Sequence, residues 1–161
     1  LFVYAKDKLG NESVSYSEYY AFKLGKDEKS EYVLAGEYIT KVKPETKVEE
    51  FIEKVKTVVA GSTYEVYDKK GNEIEEGKIV TTASTVKVDG KTYTIIVVGD
   101  LNGDGKLTGT DLVQMRFSRV GKYELKGAYE KAADINNDGK ITGTDLVQMR
   151  LIKVGLAEYT E

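Results

Sequence analysis

One stretch of this chain occurs twice. Residues 99–116 read GDLNGDGKLTGTDLVQMR and residues 133–150 read ADINNDGKITGTDLVQMR, an offset of 34 residues with TGTDLVQMR unchanged. Acidic and amide side chains fall at loop positions one, three, five and twelve of each copy. They are Asp100, Asn102, Asp104 and Asp111, then Asp134, Asn136, Asp138 and Asp145. Gly105 and Gly139 stand at position six, where a tightly wound loop needs a backbone that a β-carbon would obstruct. Lys106 and Lys140 at position seven would offer only their backbone carbonyls, and Thr108 and Thr142 at position nine a hydroxyl, directly or through a water.

That donor set selects the ligand. Every offered atom is a hard oxygen, which excludes a thiolate or imidazole site for zinc. Six or seven oxygens on one flexible loop suit calcium better than magnesium, which demands a strict octahedron and keeps its waters. A lone DxNxDG can be no more than an acidic turn, but two full copies at a regular offset reject that reading. Two Ca2+ ions are therefore expected, one per loop.

Each loop is followed by an amphipathic run that reads as a helix, Asp111 to about Val120 and Asp145 to about Val154. Thr108 and Thr142 cap them, with an acid three residues on. Leu112, Met115 and Val120 are expected to meet Leu146, Met149 and Ile152 in a core, and Leu107 to pair with Ile141. A short helix, roughly Glu124–Ala132, links the repeats. Ahead of the first loop the run Thr92–Val98 reads as a strand, so the loop lies between strand and helix and not between two helices.

Duplicated loops of this form, each with an exiting helix and Asp as last ligand, resemble the dockerin family of cohesin-binding modules over residues 99–155. The resemblance implies an all-α pair of calcium loop–helix motifs whose exposed helix faces bind a cohesin domain. Carried over to this sequence, the partner-binding positions are Gly109, Thr110, Val113, Gln114, Arg116 and Phe117, then Gly143, Thr144, Val147, Gln148, Arg150 and Leu151. The sequence departs from the commonest pattern at Gly109 and Gly143, where a hydroxyl residue often stands, and at Phe117, where a basic residue is frequent. Because the faces are nearly identical, either helix could dominate the contact.

Upstream of the repeats the chain reads as mainly β with one helix, so the expected class is α+β overall. Residues 1–24 form a candidate hairpin about Asp7–Asn11, and YAKDKLGNES resembles the last hairpin of immunoglobulin-like or fibronectin-type modules. Residues 25–98 make a small β-rich module and residues 99–161 the calcium-binding module, with a polar break at Gly25–Ser30. Tyr32–Val42 is read as one strand. Thr46 and Glu49 form a capping box for a helix to about Val58, with Val48, Phe51, Ile52, Val55 and Val59 or Val58 on one face. Thr63–Tyr67 and Ile74–Ile79 are strand candidates, and Thr85–Val88 with Lys91–Val98 form a hairpin about Asp89-Gly90. Similar small modules often stand immediately before dockerins in bacterial surface and secreted proteins.

Composition narrows the function class. With 40% hydrophobic and 32% charged residues the chain is globular. A net charge of −3 favours neither nucleic acid nor an anionic membrane. Residues 100–161 carry 9 basic and 10 acidic side chains, so two divalent ions would take that part from −1 to about +3. There is no cysteine and no histidine, which removes disulfides, redox chemistry and the usual general base. Glu49, Glu50 and Glu53 read as a solvated helix face, the scattered tyrosines as strand formers without tryptophan, and Lys41, Lys43, Lys69 and Lys70 as turn and edge charges. No enzyme is expected. The chain is expected to be a piece of a larger secreted or cell-surface protein. It would serve as a calcium-dependent protein–protein adaptor that docks its parent onto a cohesin-bearing scaffold. The alternative is a calcium-stabilised adhesion or spacer segment.

Overall fold

The computed structural model describes residues 4–6, 12–14 and 32–157. Strands β1 (Tyr4–Lys6) and β2 (Glu12–Val14) pair antiparallel with Tyr4 opposite Val14. The turn expected between them, and the break at Gly25–Ser30, lie outside the described residues.

From Val33 a five-stranded sheet is built in the order β3-β4-β7-β6-β5. The expected single strand over Tyr32–Val42 is instead a hairpin, β3 (Val33–Ala35) and β4 (Tyr38–Val42), with Ala35 opposite Tyr38. Gly36 turns it at a φ of 66°, the left-handed conformation that a two-residue hairpin loop requires and glycine supplies cheaply. Strands β5 (Tyr64–Tyr67), β6 (Thr85–Val88) and β7 (Lys91–Val97) run antiparallel in turn, and β7 returns to lie parallel to β4. Asp89 and Gly90, at φ of 46° and 87°, make the tight β6–β7 turn that the sequence announced.

Helix α1 (Val48–Val55) lies on one face of this sheet and buries Val48, Phe51 and Val55 with Ile39, Val66, Val86 and Ile95. Phe51 stacks on Tyr32 at a centroid distance of 5.5 Å. The expected capping box is absent. The helix starts at Lys47 without a side-chain cap. The hydroxyl of Thr46 donates to the Lys43 carbonyl at 2.7 Å, and the Glu49 carboxylate accepts from the Gly77 amide at 2.8 Å. Thr46 is thus taken by the carbonyl of the preceding turn, and Glu49 by a backbone amide 28 residues away. The segment Ile74–Ile79 is likewise no strand: it is bounded by isolated bridges, Tyr67 to Glu73 just before it and Lys47 to Ile79 at its end, because Glu75–Lys78 closes a turn at Gly77, φ 82°.

Three helices follow: α2 (Gly109–Arg119), α3 (Ala128–Ala133) and α4 (Gly143–Lys153). The linking helix thus begins four residues later than expected, after Gly127 at a φ of 57°. The expectation of an all-α C-terminal unit is overturned on two grounds. Helices occupy fewer than half of residues 99–157, since the two loops wind through left-handed glycines instead of helical turns. The core of this part is also closed by the sheet. Ile96 is buried with Leu101, Met115, Ala132, Met149 and Ile152, and Tyr38 and Val98 pack against the same cluster. The fold is α+β throughout, a five-stranded sheet followed by small helices.

Strand β7 explains the arrangement. Successive strand residues point to opposite faces, so Tyr93, Ile95 and Val97 enter the first core while Ile96 enters the second. Its unbroken Ile-Ile-Val-Val run is apolar because both faces are covered. Val120, expected in the helical core, is 66% exposed at the end of α2. Leu107 and Ile141 both pack, half-buried, against the second core.

Candidate functional site

The two loops are wound around their first and last carboxylates. In the first, Asp100 accepts from the backbone N–H of Gly103 at 2.7 Å and Asp104 at 3.1 Å through Oδ1, and from Gly105 at 2.9 Å through Oδ2. Asp111 closes the loop. Its Oδ1 accepts from Leu101 and Asn102 at 3.0 and 3.2 Å, and its Oδ2 from the amide and hydroxyl of Thr108 at 2.8 and 2.7 Å. Asn102 Nδ2 donates to Asp104 Oδ2 at 2.9 Å, and Lys106 N–H to Asp104 Oδ1 at 2.9 Å.

The second loop repeats the scheme. Asp134 accepts from Asp138 and Gly139, and Asp145 from Ile135, Asn136 and both donors of Thr142. Asp138 accepts from Asn136 Nδ2 and Lys140 N–H. Both helices carry the capping boxes expected at Thr108–Asp111 and Thr142–Asp145. The two terminal carboxylates therefore sit fully buried at helix N-termini, where the helix dipole favours negative charge.

Each loop thus holds three carboxylates, one amide oxygen, one hydroxyl and the carbonyl of its lysine in the order a calcium loop requires. This hard-oxygen set fits a calcium ion. Among the described residues no three acidic side chains converge on a single point; each carboxylate is instead held apart on backbone N–H groups.

The loops differ in their surroundings. Asp100 is fully buried, and its Oδ2 accepts a further bond from the Thr82 amide at 2.8 Å. Burial pushes its carboxyl above the ordinary aspartate range, against the pull of the four amides that donate to it. The Gly105 carbonyl accepts from Glu45 N–H at 2.8 Å. A β-carbon on Gly105 would stand 2.6 Å from the Val80 carbonyl oxygen, whereas one on Gly139 would meet nothing within 4 Å. These contacts of Glu45, Val80 and Thr82 escaped the sequence reading. Loop position four also differs, Gly103 in the first loop and Asn137 in the second, and a β-carbon on Gly103 would stand 2.8 Å from the Tyr129 hydroxyl of α3.

The helix faces are largely open. Val113 and Phe117 on α2 are 44% and 48% exposed, and Val147 and Leu151 on α4 are 53% and 37%. Phe117 is therefore no core residue. Thr110, Arg116, Thr144 and Arg150 are exposed beside them, and Gln114 and Gln148 are half-buried. The Oε1 atoms of both glutamines are buried and accept no hydrogen bond. Gly109 is open on all sides, while Gly143 lies under the Arg119 guanidinium, 3.4 Å from a β-carbon built there. The two faces are similar but not the same.

Residues 98–151, a third of the chain, match the model of the dockerin type I domain, which bears out the resemblance read from the duplicated loops. Dockerins are non-catalytic modules that bind calcium and dock onto cohesins. No curated protein and no solved structure matches the chain. No described helix is long and apolar enough to cross a membrane.

Proposed function

We propose that the chain is a calcium-dependent adaptor, in which residues 99–161 dock a secreted bacterial protein onto a cohesin-bearing scaffold or surface protein. Residues 25–98 would form the preceding module and residues 1–24 a hairpin from a domain upstream. Two calcium ions would be held, one by Asp100, Asn102, Asp104, the Lys106 carbonyl, Thr108 and Asp111, the other by Asp134, Asn136, Asp138, the Lys140 carbonyl, Thr142 and Asp145. Bound there, each ion supplies positive charge to three carboxylates that otherwise repel one another. The chain's own part is to fix the helix that leaves each loop. Asp111 and Asp145 belong at once to the loop and to the helix cap, so ordering the loop orders the helix face.

The observation that carries this reading is the pair of exposed apolar faces, Val113 with Phe117 and Val147 with Leu151, each flanked by an arginine. Aromatic, aliphatic and arginine side chains at the centre of a patch are what a protein partner uses. At extracellular calcium of ~1 mM, a site of ~10 μM affinity would contribute about 2.7 kcal/mol per loop. The test is a pull-down of cohesin domains by the whole chain, with calcium and with a chelator. Calcium-dependent capture is expected. Equal capture in chelator, or none in calcium, refutes the adaptor reading. The tight seat of the first loop on the sheet favours one second reading, a calcium-stabilised spacer, which calcium-dependent melting without capture would support.

A further inference from the structure

The loops have nearly the same sequence but different neighbours. Loop 134–145 is seated more openly: Gly139 is exposed and Asp134 only half-buried, although Ile135 is buried in the second core with Ile96 of β7. Loop 100–111 is built into the sheet unit. Thr82 N–H reaches Asp100, Glu45 N–H reaches the Gly105 carbonyl, and Val80 with Ile79 forms a wall under Gly105. At position four, a β-carbon on Gly103 would lie 2.8 Å from the Tyr129 hydroxyl oxygen, while Asn137 stands exposed at the equivalent place with φ 57°. Gly103 thus lies under Tyr129 of α3 whereas Asn137 is exposed, and both wind at positive φ.

The donors on the sheet side are themselves fixed. The Thr82 hydroxyl donates to the Val97 carbonyl and accepts from the Val97 amide, both at 3.1 Å. Ser84 Oγ donates to the Thr81 carbonyl. Ala83 and Glu45, non-glycine residues, sit at φ of 71° and 63°. Such backbone persists only where surrounding contacts hold it, and here both flank the seat of this one loop.

We propose that loop 100–111 is a composite calcium site completed by the upstream sheet unit. Its occupation tightens that unit, and it is the tighter of the two sites, while loop 134–145 has no such wall beneath its position-six glycine. The inference rests on the metal reading above. Its physical basis is preorganisation: a loop already held at Asp100 and Gly105 loses less freedom on binding than one without those two anchors. By linkage, what the sheet contributes to the ion the ion returns to the sheet.

The test uses the whole chain and calcium alone. Asp104→Asn and Asp138→Asn remove the same position-five carboxylate charge from the two loops and so weaken binding there, and neither carboxylate hydrogen-bonds to the sheet unit. Calorimetry gives the affinities, and amide hydrogen exchange is read at Glu45 and Thr82. In the wild type and in Asp138→Asn, calcium is expected to slow exchange at both amides by roughly tenfold or more; in Asp104→Asn it should leave them unchanged. The site remaining in Asp138→Asn should bind roughly tenfold more tightly than the one remaining in Asp104→Asn. Gly105→Ala and Gly139→Ala form a second pair, because both glycines sit at similar positive φ (77° and 82°) and only Gly105 meets a wall. Gly105→Ala is expected to lower the melting temperature of the calcium-free chain more than Gly139→Ala does. Calcium bound by both loops with no change at Glu45 and Thr82, or with equal change in the two Asn variants, overturns the inference and leaves the metal reading standing. A wild type that binds no calcium overturns both.

Discussion

Gly61 shows how much one missing carbon can decide. A β-carbon there would collide with Val88 Cγ1, and Val88 is a buried core residue of β6. Gly61→Ala is expected to cost about 1–3 kcal/mol through overpacking, read as a shift in the urea midpoint with an unchanged slope. Its neighbour in space, Asp89, is a polar counterpart. The carboxylate accepts from the amides of Ser62 and Thr63 and from the Thr63 hydroxyl at 2.9–3.1 Å. The Ser62 and Thr63 donors, most of all the Ser62 amide, hold its carboxyl below the ordinary aspartate value of 3.8. A lowered folded-state value means that the stabilisation is present above the ordinary value and is lost as pH falls through the lowered one. Asp89→Asn should therefore melt earlier than wild type at neutral pH, and the gap should close on acidification below 3.8. A gap independent of pH would show that the charge does not matter. The turn at Asp89-Gly90 was legible in the sequence because a two-residue loop depends on local backbone alone. The three donors from residues 62 and 63 were not, because they lie 26 and 27 residues away.

At the scale of elements, one sequence pattern occurs three times with two outcomes. Thr-x-x-acid stands at Thr46–Glu49, Thr108–Asp111 and Thr142–Asp145. The last two are capping boxes, and the first is not. At the repeats the short aspartate can reach the threonine amide while its other oxygen binds the loop behind it, so cap and loop reinforce each other. At Thr46 the buried hydroxyl turns to Lys43, and Glu49 turns to Gly77. Local patterns are reliable where no other partner, near or distant, competes for the same atoms. Thr142→Ala should cost about 1 kcal/mol of stability, and should also weaken calcium binding because the hydroxyl is a proposed ligand. Thr46→Ala leaves the α1 cap untouched, and its cost should come from its buried site alone. Circular dichroism with and without chelator separates the two: only Thr142→Ala should shift the calcium midpoint. Likewise the duplicated loops were legible as whole units, whereas the seat beneath the first of them joins residues more than fifteen positions apart and left no sign within the loop itself.

For the whole molecule, β7 matters most. Ile96→Ala, a change in a strand, is expected to cost about 2–5 kcal/mol and to loosen the helices, because its side chain lies in their core. Hydrogen exchange should rise in α2 and α4 as well as in β7; a rise limited to the sheet would refute the shared core. The all-α expectation failed for the same reason. Hydrophobic periodicity assigns each residue to its own element, and a strand buried on both sides does not say to which neighbour each face belongs. The same strand has a mechanical consequence. It lies between β4 and β6, runs parallel to β4, and passes into the first loop within three residues. When the C-terminal helices are anchored and the chain is pulled from its N-terminal side, β3 can peel away one bond at a time. Strands β4 and β7 are then loaded at opposite ends, so their hydrogen bonds resist tension together, in shear, and not in succession.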